Sequence, residues 1–448
     1  MAESELPQPP EHLSSEEFRK HGHALIDWIA DYWDRIEDLP VESSVSPGSV
    51  RELLPPEAPQ KGEPFADLIR DLDEIVMPGI THWQHPSWFS FFPANASPPS
   101  VLAELVSAGL GVQGMLWSTS PAATEIESHV LDWLVDLMDL PSEWKTTSLG
   151  GGVLQMSASD STHTSLVVAR HQAMKRGVNP TAMVAYASTQ THSSIQKGAT
   201  VAGYRHIRLI PVDDKQAMDT STLRAALASD KAEGLVPVFV AATLGTTGTT
   251  AVDPIRPIGE ICQEENLWLH VDAAYAGNAM ICPEFRHHQD GLELVDSYTF
   301  NPHKWLMVNF DCSVFYVADR SPLIDCLSIL PPYLKNEASE SGAVIDYRDW
   351  HVPLGRRFRS LKLWWVIRSY GVEGLQSMIR YHVALTERLA EKLKSDPRFE
   401  VVAPHPFALV CFRCTAGDEA TQSLAEAVNG SPNVAWTGSE LDGRPMIR

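Results

Sequence analysis

Apolar strand-like runs alternate with helical patterns through the middle of the chain, between Pro98 and Gly371. The runs are almost wholly apolar, as in strands buried on both faces, and the segments between them carry apolar residues at helical spacing. The strand-like runs cover residues 181–187, 236–243, 267–271 and 313–317, and the helical patterns cover residues 161–176 and 220–228. This alternation predicts an α/β fold with a mostly parallel central sheet covered by helices.

The segments on either side of this α/β region have different patterns. Residues 1–97 contain one amphipathic helix, predicted over residues 21–37, with a wide stripe of Trp, Tyr, Leu and Ile. The Pro-, Ser- and Glu-rich residues that follow are too irregular to cover this stripe, so we expect it to pack on a distant surface such as a second subunit. We therefore predict an N-terminal helical dimerisation segment, a large domain over residues 98–371 and a small C-terminal α+β domain over residues 372–448.

Composition narrows the classes of partner. The 448 residues carry a net charge of −22, from 35 Lys and Arg against 57 Asp and Glu. This charge repels phosphate backbones and anionic lipids, so we predict no nucleic-acid partner and no membrane partner. The longest apolar run, residues 235–244, contains a proline and has about half of the roughly 20 residues that span a bilayer. The acidic first residues lack the features of a secretory signal, and we expect a cytoplasmic protein.

Cysteine usage gives no sign of a disulfide framework or a metal centre. The six cysteines all follow Glu260, and only Cys411 and Cys414 lie close together in the sequence. A second ligand pair at zinc-finger spacing is missing, and the pair falls in an apolar run that resembles a strand. We therefore predict no metal site.

Four groups of residues could carry chemistry, and each also has a purely structural explanation. Residues 149–162, rich in Gly and Ser, run into a helix and could cradle a phosphate, or could form a glycine turn with ordinary capping. Asp272 ends an apolar strand, where open α/β sheets bind ligands, or it caps a helix. Lys304 could be a surface lysine, and His192 could be a structural histidine. Together on one α/β domain they match pyridoxal phosphate, whose aldehyde bonds to a lysine amine and whose pyridine nitrogen pairs with an acid.

Several stretches resemble the signatures of the pyridoxal-phosphate-dependent aromatic-L-amino-acid (dopa) decarboxylase group, also called group II decarboxylases. They are Ala-Thr-Leu-Gly-Thr-Thr at 242–247, His-Val-Asp-Ala-Ala-Tyr-Ala-Gly at 270–277, Phe-Asn-Pro-His-Lys-Trp-Leu at 300–306 and Pro-Leu-Gly-Arg-Arg-Phe-Arg-Ser-Leu at 353–361. The resemblance covers essentially the whole chain. It implies the aminotransferase-like fold (fold type I), a homodimer with active sites at the subunit interface, and a final strand that continues past Arg448.

The resemblance also implies a role for each matching residue. Lys304 would hold pyridoxal 5'-phosphate as a Schiff base, Asp272 would pair with the pyridine nitrogen, and His192 would stack on the ring. The other implied cofactor contacts are Ser157, Ala158, Ser159 and Thr247 at the phosphate and Ala274 at the ring, with Asn301 and His303 beside Lys304. Trp83, Phe91, Phe92 and Pro93 match the substrate-pocket region of the family, as do Gln113, Met115 and Gly355 at further positions.

The implied reaction is decarboxylation of an aromatic L-amino acid, of the dopa, tyrosine, tryptophan or 5-hydroxytryptophan type, to the arylalkylamine and CO2. Phe91 and Ala94 replace a Tyr and a Thr that are common in animal enzymes, and Gln113 and Met115 replace apolar and aromatic residues. The preferred ring therefore stays open. The alternatives are an aromatic aldehyde synthase, a decarboxylase of glutamate or histidine, or an inactive binding protein. The intact Lys304 argues against the last.

Tyr347 is the remaining catalytic candidate. It lies in a polar, glycine-containing segment, residues 342–351, that follows an acidic stretch and that we interpret as a mobile loop, although it could be a surface linker. The family's equivalent loop closes over the active site and presents a tyrosine near the substrate α-carbon. A phenol there could protonate that carbon after CO2 leaves. We therefore expect Tyr347→Phe to divert product from amine to aldehyde.

Overall fold

A computed structural model describes residues 12–329 and 344–448. The chain divides into two compact units. The smaller contains the residues up to Ser90 together with Leu424–Thr437, and the larger contains Phe91–Ser423 and Gly438–Arg448. The domain limits given above, at residues 97 and 371, remain predictions.

The described residues alternate between helices and strands. The helices are α1 (Ser15–Asp34), α2 (Ser49–Leu53), α3 (Phe65–Asp71), α4 (Pro98–Leu110), α5 (Pro121–Met138), α6 (Ala158–Lys175), α7 (Ser193–Val201), α8 (Thr220–Ala232), α9 (Ile255–Glu265), α10 (Pro302–Trp305), α11 (Ser321–Leu327), α12 (Ser360–Ser395) and α13 (Asp418–Asn429). The strands are β1 (Gly151–Gln155), β2 (Met183–Ser188), β3 (His206–Ile210), β4 (Val236–Thr243), β5 (Trp268–Asp272), β6 (Ser297–Phe300), β7 (Ser313–Val317), β8 (Phe399–Val401), β9 (Phe412–Cys414), β10 (Gly438–Leu441) and β11 (Arg444–Ile447).

Seven strands form the central sheet of the larger unit, in the order β1-β7-β6-β5-β4-β2-β3. The neighbouring pairs from β6 through β5, β4 and β2 to β3 are parallel, which confirms the predicted mostly parallel sheet. Strand β7 runs antiparallel to both β6 and β1. A parallel β7 would need a long crossover, but residues 301–312 hold only the short helix α10, so the chain turns back beside β6.

Burial on both faces explains why the strands could be found from the sequence. Every residue of β1, β2 and β7 is buried, and their apolar side chains pack under helices such as α5 and α6. Strands β4 and β7 occupy the predicted residues 236–243 and 313–317. The uninterrupted core at this sheet gives the loops at the strand ends a rigid base.

The larger unit also contains a four-stranded antiparallel sheet, in the order β10-β11-β9-β8. Helix α12 lies before this sheet in the chain and is interrupted at Gly371, which has φ +66° and ψ 170°. A side chain would strain the backbone in that conformation, and glycine relieves it. The interruption lies at residue 371, the predicted end of the large domain.

The smaller unit begins with the predicted amphipathic helix, which starts earlier than expected. Ser14 and Glu17 form a capping box that begins α1 at Ser15 rather than at residue 21. The stripe finds partners within the unit, since Trp28 donates to Asp73 at 3.2 Å and the Tyr32 hydroxyl lies 3.0 Å from His82 Nδ1. No α1 residue is fully buried. Among the described helices of the chain, none is long and apolar enough to cross a membrane.

Candidate active site

A cavity of about 260 Å³ lies at the carboxyl ends of the central strands. Thr243 ends β4, Asp272 ends β5 and Asn301 follows β6, so parallel strands deliver these side chains to one edge of the sheet. The cavity brings together every residue proposed to contact the cofactor: Ser157, Ala158, Ser159, His192, Thr247, Asp272, Ala274, Asn301, His303 and Lys304. Polar groups of opposite charge thus meet in one concave site, as a charged small ligand requires.

The serine-rich turn lies at the start of α6. Ser157 is the N-cap residue, and its hydroxyl accepts a hydrogen bond from the Asp160 N–H at 3.3 Å. Ala158 and Ser159 follow in the first turn, where backbone N–H groups lack partners within the helix. These N–H groups and the positive end of the helix dipole favour an anion. The cap and the N–H groups that favour an anion therefore lie in the same turn.

The glycines that precede this turn do not belong to it, contrary to the proposed cradle over residues 149–162. Gly151 and Gly152 lie in β1, inside the sheet. A Cβ atom would lie 2.6 Å from Trp350 at Gly151 and 2.6 Å from Tyr316 at Gly152. Close packing of β1 requires these glycines, and only the serine end of the motif reaches the cavity.

Asp272 and Lys304 are the acidic and the basic side chains that line the cavity. Asp272 is 4% exposed, and its Oδ1 accepts a hydrogen bond from the Ala274 N–H at 3.0 Å. Burial lowers the pKa of Lys304, while the charge of Asp272 opposes this shift and that of Arg448 adds to it. A lowered pKa increases the fraction of neutral amine, which is the nucleophilic form.

His192 has a fixed tautomer. It is the N-cap residue of α7, and the Ser194 N–H donates to its Nδ1 at 3.2 Å. A backbone N–H can only donate, so Nδ1 accepts and the proton of the neutral ring is on Nε2. Burial lowers the pKa of His192, with Asp272 opposing and Lys304 adding to the shift. The neutral ring can lie against an aromatic ligand without adding a charge.

His303 and Asn301 flank Lys304 in different hydrogen-bonding states. Burial, helped by Lys304, lowers the pKa of His303 to about 4, and its Nδ1 accepts from the Cys312 N–H at 2.9 Å. Asn301 Oδ1 is buried and, among the described residues, has no hydrogen-bond partner. The hydroxyl of Thr243 is in the same state. Unsatisfied buried polar groups are costly, so these two atoms indicate a ligand that completes the site.

Parallel aromatic rings form one wall of the cavity. Phe92 stacks on Tyr275 with ring centroids 3.9 Å apart, and Tyr275 stacks on Trp305 at 4.6 Å. The Lys304 amine lies 5.4 Å from the centroid of the Phe92 ring. Because Trp305 follows Lys304 directly in α10, the stack fixes the wall and the lysine together.

A model of the pyridoxal-dependent decarboxylase conserved domain matches residues 47–415 of the chain. This chain belongs to the pyridoxal-dependent decarboxylase family. It is 44% identical to tryptophan decarboxylase 2 of Oryza sativa subsp. japonica, over 97% of this decarboxylase and 90% of the relative. It is also 44% identical to phenylacetaldehyde synthase of Arabidopsis thaliana, over 97% and 92%. A crystal structure of Oryza sativa TDC with PLP and tryptamine superposes with a TM-score of 0.96 at 40% identity, covering 98% of this chain and 94% of that one.

The residues of this decarboxylase fit pyridoxal phosphate. The start of α6 offers N–H donors and hydroxyls to a phosphate, and Asp272 offers a carboxylate to a protonated ring nitrogen. Lys304 offers a buried amine to the aldehyde. The unsatisfied oxygens of Asn301 and Thr243 supply further polar contacts. Each functional group of the cofactor thus has a chemical counterpart in the cavity.

The substrate-pocket candidates fall into separate groups. Phe92 lines the cavity, whereas Phe91 is 59% exposed, and neither it nor Pro93 is a lining residue. Trp83 belongs to the smaller unit, where its ring lies 5.1 Å from that of Trp88. Gln113, Met115 and Gly355 do not line the Lys304 cavity within one chain. They cluster elsewhere: Gln113 Oε1 accepts from the Arg356 N–H at 2.5 Å, and a Cβ atom on Gly355 would lie 3.5 Å from Gln113 Nε2.

The placement of Tyr347 on a mobile loop is wrong. Tyr347 begins a short 3₁₀-helix, Tyr347–Trp350, and its side chain is fully buried. It packs with Trp350 and the β1 and β7 side chains Val153 and Val317, and the Arg356 guanidinium lies 4.6 Å from its ring centroid. Tyr347 does not line the Lys304 cavity. The preceding part of the proposed loop, residues 342–343, and the acidic stretch before it lie outside the described residues.

Five lining residues had no predicted site role: Ser194, Thr243, Gly245, Tyr275 and Phe310. Ser194 follows His192 at a helix start, where a hydroxyl residue is a recognisable capping signal. Thr243 is the last residue of a predicted strand, and the strand-end argument used for Asp272 applies equally to it. Tyr275 and Phe310 carry no comparable local signal, because aromatic side chains in such positions usually belong to a core.

Proposed function

We propose that this decarboxylase acts on aromatic L-amino acids and releases carbon dioxide and the arylalkylamine. The observation that carries the proposal is the joint presence in one cavity of Lys304 and Asp272 with the aromatic surfaces of Phe92 and Phe310. An aromatic side chain gains both burial and ring stacking at such a wall. The names of the similar proteins, tryptophan decarboxylase 2 among them, support the same substrate class.

Each polar residue of the cavity has a distinct task in this reaction. When bound, pyridoxal phosphate supplies the electron sink for the bond between the α-carbon and the carboxylate. The carboxylate of Asp272 holds a proton at the pyridine nitrogen, because a nearby opposite charge favours the charged form. His192 keeps an uncharged face toward the ring, and the neutral amine of Lys304 is the nucleophile. The wall at Phe92 orients the substrate, so that the carboxylate can stand out of the ring plane.

A homodimer with shared active sites is part of this proposal. Helix α4 carries Leu102, Leu105, Val106 and Leu110 at helical spacing, each between 40% and 58% exposed. An exposed apolar stripe of this length is typical of a protein interface. A second copy could bring its Gln113, Met115 and Gly355 to the Lys304 cavity, which they do not line within one chain. The cytoplasmic location stays a prediction from the sequence.

An aldehyde synthase is the second candidate. Phenylacetaldehyde synthase of Arabidopsis thaliana has the same 44% identity as the decarboxylase relative, so overall similarity favours neither product. Both reactions would use the same lysine, carboxylate and aromatic wall.

A product screen tests both candidates. The purified enzyme with pyridoxal phosphate is incubated in air with each aromatic L-amino acid, and also with glutamate and histidine, and amine, aldehyde and peroxide are measured by mass spectrometry and peroxide assay. We expect amine from at least one aromatic amino acid and none with Lys304→Ala. Aldehyde with matching peroxide would instead support the synthase. Amine from glutamate or histidine alone would contradict the aromatic substrate class.

A further inference from the structure

His270 lies beneath the active site, two residues before Asp272 in β5, and is fully buried. Both of its ring nitrogens have partners. Nε2 lies 3.3 Å from the Thr162 hydroxyl, and Nδ1 lies 3.0 Å from the Ser297 hydroxyl and 3.2 Å from the Ser165 hydroxyl. Ser165 and Ser297 are themselves 2.5 Å apart.

His270 on β5 and its partners on α6 and β6 together lie on the three elements that carry the proposed catalytic groups. Thr162 and Ser165 lie on α6, which begins at the serine turn proposed to bind phosphate. Ser297 begins β6 and is the register partner of His270, and the chain runs from β6 directly to Asn301 and Lys304. The buried ring of His270 therefore connects α6, which begins at the serine turn, to β5, which ends at Asp272, and to β6, which leads to Lys304.

The hydrogen bonds have a defined direction at one end of the network. Burial lowers the pKa of His270 to about 4, so the ring is neutral near pH 7, with one nitrogen donating and the other accepting. The Trp268 indole N–H can only donate, and it donates to the Ser297 hydroxyl at 2.9 Å. A buried network in which every member is satisfied is rigid and selects one arrangement of its parts.

We propose that His270 is a positioning residue, which sets the start of α6 relative to Asp272 and Lys304 and so fixes the tilt of the cofactor ring. This inference rests on the proposed function, because the tilt matters only if a carboxylate must be held out of the ring plane. A small misplacement changes which bond aligns with the ring, and therefore changes the products formed. His270 itself does not line the cavity.

Thr162→Val gives the sharpest test, because it removes the link between His270 and α6 with little change in volume. Thr164→Val is the matched control: Thr164 is also buried on α6, and it is not among the hydrogen-bond partners of His270 in the described chain. His270→Leu removes every hydrogen bond of the imidazole ring, and His270→Gln can restore a donor and an acceptor. Tyr186→Phe controls for lost stability, since it removes a buried hydrogen bond to Asp230 away from the cavity.

The readouts are the Kd for pyridoxal phosphate, the visible circular dichroism of the bound cofactor, the ratio of amine to carbonyl product, and thermal stability. We expect Thr162→Val and His270→Leu to weaken cofactor binding about tenfold, to alter the dichroism and to lower the product ratio, with partial recovery in His270→Gln. Both controls should keep the wild-type dichroism and product ratio even where their stability falls. If Thr162→Val behaves like Thr164→Val, the proposal is wrong, whether or not His270→Leu folds. A wild-type enzyme that makes no amine would instead contradict the proposed function.

Discussion

The charge of Asp272 matters more than its shape. The hydrogen bond that its side chain accepts from the Ala274 N–H could be made equally well by an asparagine, but an asparagine cannot hold a proton at the pyridine nitrogen. We expect Asp272→Asn to lower kcat about 100-fold, and Asp272→Glu to lower it about tenfold through misplacement alone. Steady-state assays of both variants at saturating cofactor give the comparison. Wild-type activity in Asp272→Asn would reduce the residue to a cap for the turn.

Tyr347 should tolerate the loss of its hydroxyl. That hydroxyl is buried and has no hydrogen-bond partner among the described residues, so Tyr347→Phe removes an unsatisfied group and no bond. We expect an unchanged ratio of amine to aldehyde, and an unfolding free energy within about 0.5 kcal/mol of wild type or slightly above it. Tyr186→Phe, which loses a 2.6 Å hydrogen bond to Asp230, should be destabilised in the same measurement. If Tyr347→Phe instead forms aldehyde, Tyr347 is the proton donor to the substrate α-carbon despite its burial.

The contrast between these residues explains how far the sequence predicts the site. Lys304 and Asp272 lie in short motifs that follow or end strands. Both could be predicted because one cofactor, pyridoxal phosphate, requires a lysine and an acidic residue together. The burial of Tyr347 depends on contacts with Val153 and Val317, which are far away in the sequence and come together only in the folded sheet. A polar local sequence therefore predicts a loop where tertiary packing buries an aromatic side chain.

The glycines of β1 illustrate a similar limit at the level of the element. Gly152 precedes a serine turn and resembles part of a phosphate cradle, but Tyr316 of β7 occupies the space that a side chain would need. We expect Gly152→Ala to lower the unfolding free energy by about 1–3 kcal/mol through overpacking, with an unchanged Kd for pyridoxal phosphate. Denaturant unfolding and cofactor titration separate the two effects. A higher Kd for pyridoxal phosphate with unchanged stability would instead show that Gly152 is part of the phosphate site.

The connection between β4 and α9 should make stability depend on pH. Asp253 accepts hydrogen bonds from the Met218 and Thr243 N–H groups, and burial raises its pKa to about 6. A carboxyl with a raised folded pKa contributes stability that is present below its unfolded pKa of about 4 and is lost as pH rises through 6. Asp253→Asn lacks this dependence. We expect the unfolding free energy of wild type relative to Asp253→Asn to be about 2–3 kcal/mol greater at pH 4 than at pH 7. A constant difference would show that the pKa of Asp253 is the same in the folded and unfolded states.

The order of helices and strands is better predicted than their direction and partners. Continuous apolar runs identify β4 and β7, because both faces of each strand are buried. Strand β7 is antiparallel because the connection through α10 is short. The length of this connection can be read from the sequence, but its path depends on the folded sheet. Likewise the stripe of α1 is visible in the sequence, whereas the contacts of Trp28 with Asp73 and of Tyr32 with His82 are not.

At the scale of the whole molecule, the proposed homodimer concerns two surfaces of the chain, the Lys304 cavity and the patch around Gln113. The cavity holds Lys304, Asp272 and Phe92 but does not include Gln113, Met115 or Gly355. Those three candidates instead lie near Arg348 and Arg356, whose backbone N–H groups donate to Met115 O and Gln113 Oε1. The exposed stripe of α4 precedes Gln113 directly in the chain. A two-fold interface would place the same patches of two copies together and complete both cavities at once.

Mixed dimers can distinguish a shared site from a site built within one chain. Lys304→Ala removes the amine, and Gly355→Trp fills the surface proposed to serve the partner, so we expect each variant to be inactive alone while remaining a dimer in sedimentation. In a mixed dimer, the Lys304 of the Gly355→Trp chain faces the intact Gly355 of the Lys304→Ala chain, and one complete site reappears. Random mixing makes half of the dimers mixed with one good site each, so co-expression should recover about one quarter of wild-type activity. If Gly355 acts within its own chain, the only lysine-bearing site is blocked and the mixture stays inactive.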